Sequence, residues 1–114
     1  MRYMLIIHNG ENHPRPGDEG WDQLMADYGA FSAQLASYGT PFSGDPLAPP
    51  DMATTVRVHD GQTMVTDGPF AETKEWFSGY YIIDVENLDQ ALAAAAMIPS
   101  AKWGSVEVRP VLDM

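Results

Sequence analysis

Two short runs, residues 3–8 and 80–85, constrain the fold most, because each is apolar on both faces that a strand presents. Such a strand lies inside a sheet that is covered on both sides. Two stretches, 21–38 and 88–98, have the three- and four-residue apolar spacing of amphipathic helices. Two helices fit on one face of a sheet, so we expect a second copy of the chain to cover the other.

The other strand segments are indicated by composition and by the turns between them. Asp60-Gly61 separates two β-rich runs and predicts a hairpin with a type I′ turn, which needs two positive φ angles. Prolines limit the segment 42–50 to a short edge strand. The predicted strands are 3–8, a short one within 42–50, 54–58, 63–66, 80–85 and 105–112.

The order of these elements is strand, helix, weak strand or hairpin, strand, helix, strand. This order predicts an α+β fold, a ferredoxin-like sandwich with both helices on one face of the sheet. We expect Asp18, or a residue close to it, to cap the first helix, and Asn87 and Gln90 to form a capping box on the second. One domain should span residues 1–114.

Composition excludes several classes of function. Acidic residues number 16 against 6 lysines and arginines, and a net charge of −10 repels nucleic-acid backbones and anionic membranes. There is no cysteine, hence no disulfide and no thiolate ligand. No run approaches the roughly 20 apolar residues of a membrane span, and the N-terminal run does not fit a signal peptide. We therefore expect a soluble cytoplasmic protein that binds neither nucleic acid nor membrane.

The stretch 67–77 combines a turn, aromatic side chains and charges. Gly68 and Pro69 predict the turn. Phe70, Trp76 and Phe77 favour burial, so we expect them to anchor the segment while its charges face a cleft or a partner.

A family resemblance rests on several parts of the chain. These parts are Arg2-Tyr3-Met4-Leu5, Asp67-Gly68-Pro69-Phe70-Ala71-Glu72-Thr73-Lys74-Glu75, Gly79-Tyr80-Tyr81, Ile98-Pro99 and Val106-Glu107-Val108-Arg109-Pro110-Val111. Together they resemble the DGPF branch of the YCII-related proteins. The resemblance implies a bacterial, ferredoxin-like dimer whose two sheets form an α/β barrel around clefts. It implies little about activity.

Two further points follow from the resemblance. Some relatives occur beside or fused to extracytoplasmic-function sigma factors, so it also implies a regulatory association as one alternative. Members of the wider superfamily with a proposed catalytic role have a His on the first helix paired with an Asp. The predicted first helix here, 21–38, contains no His, so this mechanism is not carried over.

The candidate site consists of charged and polar residues near the turn and the last strand. Asp67 is the candidate general base, and the proposed ligand cleft contains His8, Glu72, Lys74, Glu75, Tyr81, Glu107 and Arg109. Carboxylates in a water-poor cleft can act as acids or bases, and cationic side chains can hold an anion. The alternative is a structural ion-pair network in which Arg109 pairs with Glu72 first, or with Glu107. Alternation along the strand lets only one of Tyr80 and Tyr81 face the cleft.

Cofactors and metals are not expected. His8, Glu11 and His13 are suitable ligand types, but their spacing matches no metal motif, and no phosphate-binding glycine loop is present. The function predicted is a homodimer whose charged cleft binds a small polar or anionic molecule. The alternatives are a carboxylate acid–base enzyme, lyase or hydrolase-like, and a regulatory module linked to sigma factors.

Overall fold

Six strands and two helices make up the computed structural model, which describes residues 1–114. The predicted α+β class is confirmed. Two 3₁₀ turns, Pro50–Met52 and Pro99–Trp103, join these elements. In chain order the elements are β1 Arg2–Asn9, α1 Trp21–Ser37, β2 Phe42–Pro46, β3 Thr54–His59, β4 Gln62–Asp67, β5 Trp76–Asp84, α2 Leu88–Ala96 and β6 Gly104–Pro110.

The main sheet has four antiparallel strands in the order β2-β5-β1-β6. The two runs predicted to be apolar on both faces, in β1 and β5, are its inner strands. At the centre, Leu5 of β1 lies opposite Tyr81 of β5 on one side and Val108 of β6 on the other. This register fixes which side chains share a face.

The hydrophobic core lies between the sheet and the two helices. On β1, Tyr3, Leu5 and Ile7 point to this side, because alternate residues of a strand share a face. Alanines of α2 allow the helix to approach the sheet closely. The cluster comprises Tyr3, Leu5, Ile7, Phe31, Leu35, Ile83, Ala91, Ala94, Ala95 and Ile98. The helices therefore cover one face of the sheet and leave the other open.

The helix starts differ in how they are capped. On α2 the predicted cap is confirmed, since Asn87 accepts a hydrogen bond from the Gln90 backbone N–H at 3.0 Å. On α1 the cap lies close to Asp18, as predicted, but is not Asp18 itself. Gly20 occupies the cap position with φ 90°, and Asp18 instead accepts from the Arg15 backbone N–H at 2.9 Å. Asp18 therefore closes a turn of the preceding loop.

Strands β3 and β4 form a hairpin, residues 54–67, that we call the arm. Its predicted type I′ turn is confirmed, since Asp60 and Gly61 have φ angles of 49° and 76°. The arm has no extensive contact with the main sheet or with either helix. The radius of gyration is 16.0 Å, whereas a compact chain of this length has about 13 Å. The protomer is flat, with extents of 48 × 43 × 18 Å.

A buried hydrogen-bond chain fixes the loop before α1 to the 3₁₀ turn after α2. His13 Nδ1 lies 2.8 Å from the Pro14 carbonyl oxygen, which can only accept, so Nδ1 carries the proton. His13 Nε2 then accepts from Ser100 Oγ at 2.7 Å, and Ser100 accepts from Tyr28 Oη at 2.6 Å. Ser100 is 2% exposed. Each donor in this chain has an acceptor as long as His13 is neutral. Protonation of Nε2 would leave the Ser100 hydroxyl without its acceptor.

The pKa of His13 follows from this environment. Burial lowers it below the ordinary value of 6.5, against the raising effect of the hydrogen bond to Pro14. A histidine with a lowered pKa resists protonation in the folded state, while the unfolded chain takes up the proton. The contribution of neutral His13 to the free energy of unfolding is therefore fully present above the ordinary pKa, and it is lost as the pH falls below that value.

We predict that His13→Gln weakens this pH dependence. Between about pH 7.5 and about pH 5.5, the free energy of unfolding should fall more steeply for the parent protein than for the variant. Urea unfolding at a fixed protein concentration measures both slopes, and carboxylates contribute equally to each. His59→Gln, at the exposed tip of the arm, is the matched control and should keep the parent slope. Equal slopes for all three proteins would contradict the assignment.

Candidate functional site

The sheet face turned away from the helices, called the open face, carries most of the predicted site. Its floor is apolar, formed by Met4 and Ile6 of β1 and Ile82 of β5. Polar and charged side chains surround this floor. The open face consists of Met4, Ile6, His8, Ser43, Asp45, Phe77, Tyr80, Ile82, Ser105, Glu107 and Arg109.

Along β6, Glu107 and Arg109 project from the open face. Val106 and Val108, which alternate with them, pack against the core. Arg109 Nε donates to Glu107 Oε2 at 2.8 Å, and the Arg109 side chain is 69% exposed. An exposed ion pair of this kind contributes about 0–1 kcal/mol to stability.

The predicted pair between Arg109 and Glu72 is not formed within the protomer. Glu107 lies two residues from Arg109 on the same strand face, whereas Glu72 is exposed in the loop after the arm. Arg109 therefore has no buried acid as its partner. Removal of Arg109 would therefore leave no buried, uncompensated acid behind in the single chain.

At one end of the open face, two of the predicted residues come together around Ser105. His8 lies opposite Ser105 across the β1–β6 pairing, and its ring meets Phe77 edge-on with centroids 6.0 Å apart. Ser105 Oγ donates to Glu75 Oε1 at 2.6 Å. The structure thus places His8 and Glu75 at the same end of the face, beside an aromatic ring.

Tyr80, and not Tyr81, faces the open side. Tyr80 Oη donates to Asp45 Oδ2 on β2 at 2.9 Å. This hydrogen bond and the negative charge of Asp45 raise the pKa of Tyr80. Tyr81 points to the helices, where its ring meets Phe31 edge-on at 5.3 Å, and burial raises its pKa. The placement of Tyr81 in the cleft was therefore wrong.

Sequence reasoning missed Tyr80 as a site residue, together with its partner Asp45. For Tyr80 the sequence left two possibilities, because alternation along a strand puts Tyr80 and Tyr81 on opposite faces without showing which of them faces the cleft. For Asp45 the proline-rich segment gave only a short edge strand, without its register. The register that sets Asp45 opposite Tyr80 is a property of the folded sheet.

Asp67, Glu72 and Lys74 do not reach the open face of their own protomer. Asp67 ends β4 opposite Thr54, on the arm. Glu72 and Lys74 are exposed in the loop that returns from the arm to β5. Of the predicted residues, the open face therefore gathers His8, Glu107 and Arg109, with Glu75 at its edge.

The turn at residues 67–70 is held by the arm and not by the core. Thr55 Oγ1 donates to the Gly68 carbonyl at 2.8 Å, and Arg57 Nη2 donates to the Phe70 carbonyl at 3.3 Å. The Phe70 side chain is left 80% exposed. The prediction that all three aromatics are buried and anchor this segment was wrong for Phe70, because the turn folds back along the arm, beyond the reach of the core. It was also wrong for Phe77, which is 40% exposed on the open face.

The open face can bind but has few free acids. Glu107 is paired with Arg109, Glu75 accepts from Ser105, and Asp45 accepts from Tyr80. Arg109 presents a planar guanidinium that suits carboxylate or phosphate oxygens. No group of three or more His, Asp and Glu side chains is arranged to hold a metal ion, and His13 is engaged with Ser100.

Comparison with known proteins agrees with the resemblance in the sequence. No helix of the structure has the length and apolarity needed to cross a membrane. The model of the YCII-related domain family matches residues 1–114. The chain is similar to the uncharacterised protein R00369 of Rhizobium meliloti (strain 1021), at 37% identity over 97% of this chain and 92% of the relative. The chain belongs to the YCII-related family.

Proposed function

We propose that the chain works as a homodimer whose open faces enclose a charged cleft for a small polar or anionic molecule. In this arrangement two ferredoxin-like protomers bring their sheets together as an α/β barrel. The observation that carries the proposal is the open face itself, which neither helix covers. Its apolar floor lies inside a polar rim, with Ile6 only 8% exposed and Met4 and Ile82 half-buried. A second copy supplies a matching cover by two-fold symmetry.

The surface area of the protomer supports association. The accessible surface is 7870 Å² for a chain of 12.5 kDa, against about 6,200 Å² for a compact monomer of that mass. The excess is about 1,700 Å², whereas a standard interface buries about 800 Å² from each partner. The protomer thus exposes enough extra surface to form a large, stable interface.

Pairing of the carboxylates favours binding over acid–base catalysis. Asp45, Glu75 and Glu107 each accept a hydrogen bond from a neighbouring side chain, so these acids are already engaged within the chain. Arg109 is the group best suited to an anion, because its exposed guanidinium can make two parallel hydrogen bonds to one ligand group. The apolar floor suits the carbon skeleton of a small organic acid.

For the dimer, we predict a mass of twice 12.5 kDa at micromolar concentration. Met4→Lys, on the floor of the open face, should shift the protein towards monomer, because it places a charge in the interface. Met25→Lys, on a partly exposed position of α1, is the matched control and should stay dimeric. Light scattering coupled to size exclusion gives both results. A parent protein that stays monomeric across the micromolar range would refute the dimer.

For the ligand, we predict that inorganic phosphate and benzoate shift the amide signals of β6 and β5 in an NMR titration. Arg109→Ala should weaken binding by about tenfold or more, since it removes charge-assisted hydrogen bonds. Lys102→Ala is the control, because Lys102 lies over the Trp103 ring at 4.7 Å, away from the open face. Affinities unchanged by Arg109→Ala, or shifts confined to the helices, would count against the cleft.

A further inference from the structure

The two faces of the arm differ in what covers them. Register pairs Val56 with Val65 and Val58 with Thr63, so three valines share one face, which we call the valine face. Its other members are Thr54 and Asp67. The reverse face consists of Thr55, Arg57, His59, Gln62, Met64 and Thr66.

The reverse face has a partner within the protomer. Thr55 and Arg57 hold the carbonyls of Gly68 and Phe70, so the turn folds against this side of the arm. Nothing comparable lies on the valine face. Val56, Val58 and Val65 are 58%, 68% and 65% exposed.

An uncovered valine face is unfavourable for a single chain in water. A two-stranded hairpin on its own is marginally stable in water and needs packing against another element. Exposed, clustered apolar side chains mark an interaction surface. The arm stands apart from the sheet and helices of its own chain, so its cover must come from another molecule.

We propose that the arm lies with its valine face against the open face of a second copy of this chain, so that Asp67 of one protomer joins the cleft of the other. The inference rests on the proposed homodimer and goes beyond it, because it assigns the arm and not only the sheets to the interface. The cleft is then composite, and each site is incomplete without the partner.

Three observations select a second copy as the occupant. The excess accessible surface of about 1,700 Å² matches an interface larger than the sheet floor alone would need. The valine face and the open face both lack a covering element within the chain, and a two-fold axis would cover both pairs at once. The only charge on the valine face is Asp67, while the open face carries the exposed cation Arg109.

Packing of each arm on the other copy also brings together the site residues that were predicted from the sequence. Asp67 ends the valine face, and the residues after it lead back to β5 beside His8 and Glu75. The site predicted from the sequence is split in the protomer, with Asp67 on the arm and His8, Glu107 and Arg109 on the sheet. Exchange of arms between copies reunites these two halves.

The first test compares two double variants within the same hairpin. Val56→Lys with Val58→Lys charges the valine face, whereas Met64→Lys with Thr66→Lys makes the same change in charge on the reverse face. Sedimentation equilibrium should show a dimer dissociation constant raised by about tenfold or more for the first pair and by less than about threefold for the second.

The outcomes separate this inference from the proposed function. A monomeric parent protein would defeat both. A dimeric parent whose dissociation constant is unaffected by the valine-face pair, or equally affected by both pairs, would overturn the arm assignment and leave the sheet-to-sheet dimer standing.

A second measurement does not depend on the folding of the lysine variants. The chain has no cysteine, so Gln62→Cys provides a unique site for a nitroxide label at the arm tip, on the reverse face. Mixed dimers of labelled variant and ¹⁵N-labelled parent protein should show broadened amide signals for Tyr80 and Ile82 of the open face. Broadening confined to α1 and α2, or none in the mixed dimers, would overturn the proposal.

Discussion

Two helices can cover only one face of the four-stranded sheet, and the rest of the structure depends on this constraint. The inner strands place Tyr3, Leu5 and Ile7 in the core and put Met4 and Ile6 on the side without a helix. Full burial of a large apolar side chain contributes about 1.5–3 kcal/mol, and Met4 and Ile82 have gained only part of this, whereas Ile6 is already only 8% exposed. In the proposed dimer a second copy covers this face, and the proposed cleft lies where the covering surface is polar.

Electrostatics decide how much of the open face is available for chemistry. With a net charge of −10, neighbouring carboxylates repel one another, but Asp45, Glu75 and Glu107 on or beside the open face have hydrogen-bond partners that fix their positions. Donors from Arg109, Ser105 and Tyr80 provide those partners. The resulting surface is fixed in geometry and retains one exposed guanidinium, which suits recognition of an anion better than proton abstraction.

The sequence was sufficient for the elements and for the inner strands, because apolar periodicity and the Asp60-Gly61 turn are local signals. It was insufficient where a choice depends on register or on what lies nearby in space. The alternation of side chains along β5 did not show whether Tyr80 or Tyr81 faces the open side. Glu72 was placed ahead of Glu107 as the partner of Arg109, although Glu107 was nearer on the same strand face and is the residue that pairs with it. Phe70 was expected to be buried, but the arm carries its turn away from the core.

Hydrogen exchange of the arm's amides measures directly whether the arm is packed against another molecule in solution. The amides of Val56 and Val65 should be strongly protected at protein concentrations above the dimer dissociation constant and should lose that protection on dilution. The amide of Leu5, at the centre of the sheet, should lose far less on the same dilution. Arm amides that exchange at one rapid rate at every concentration would contradict the account.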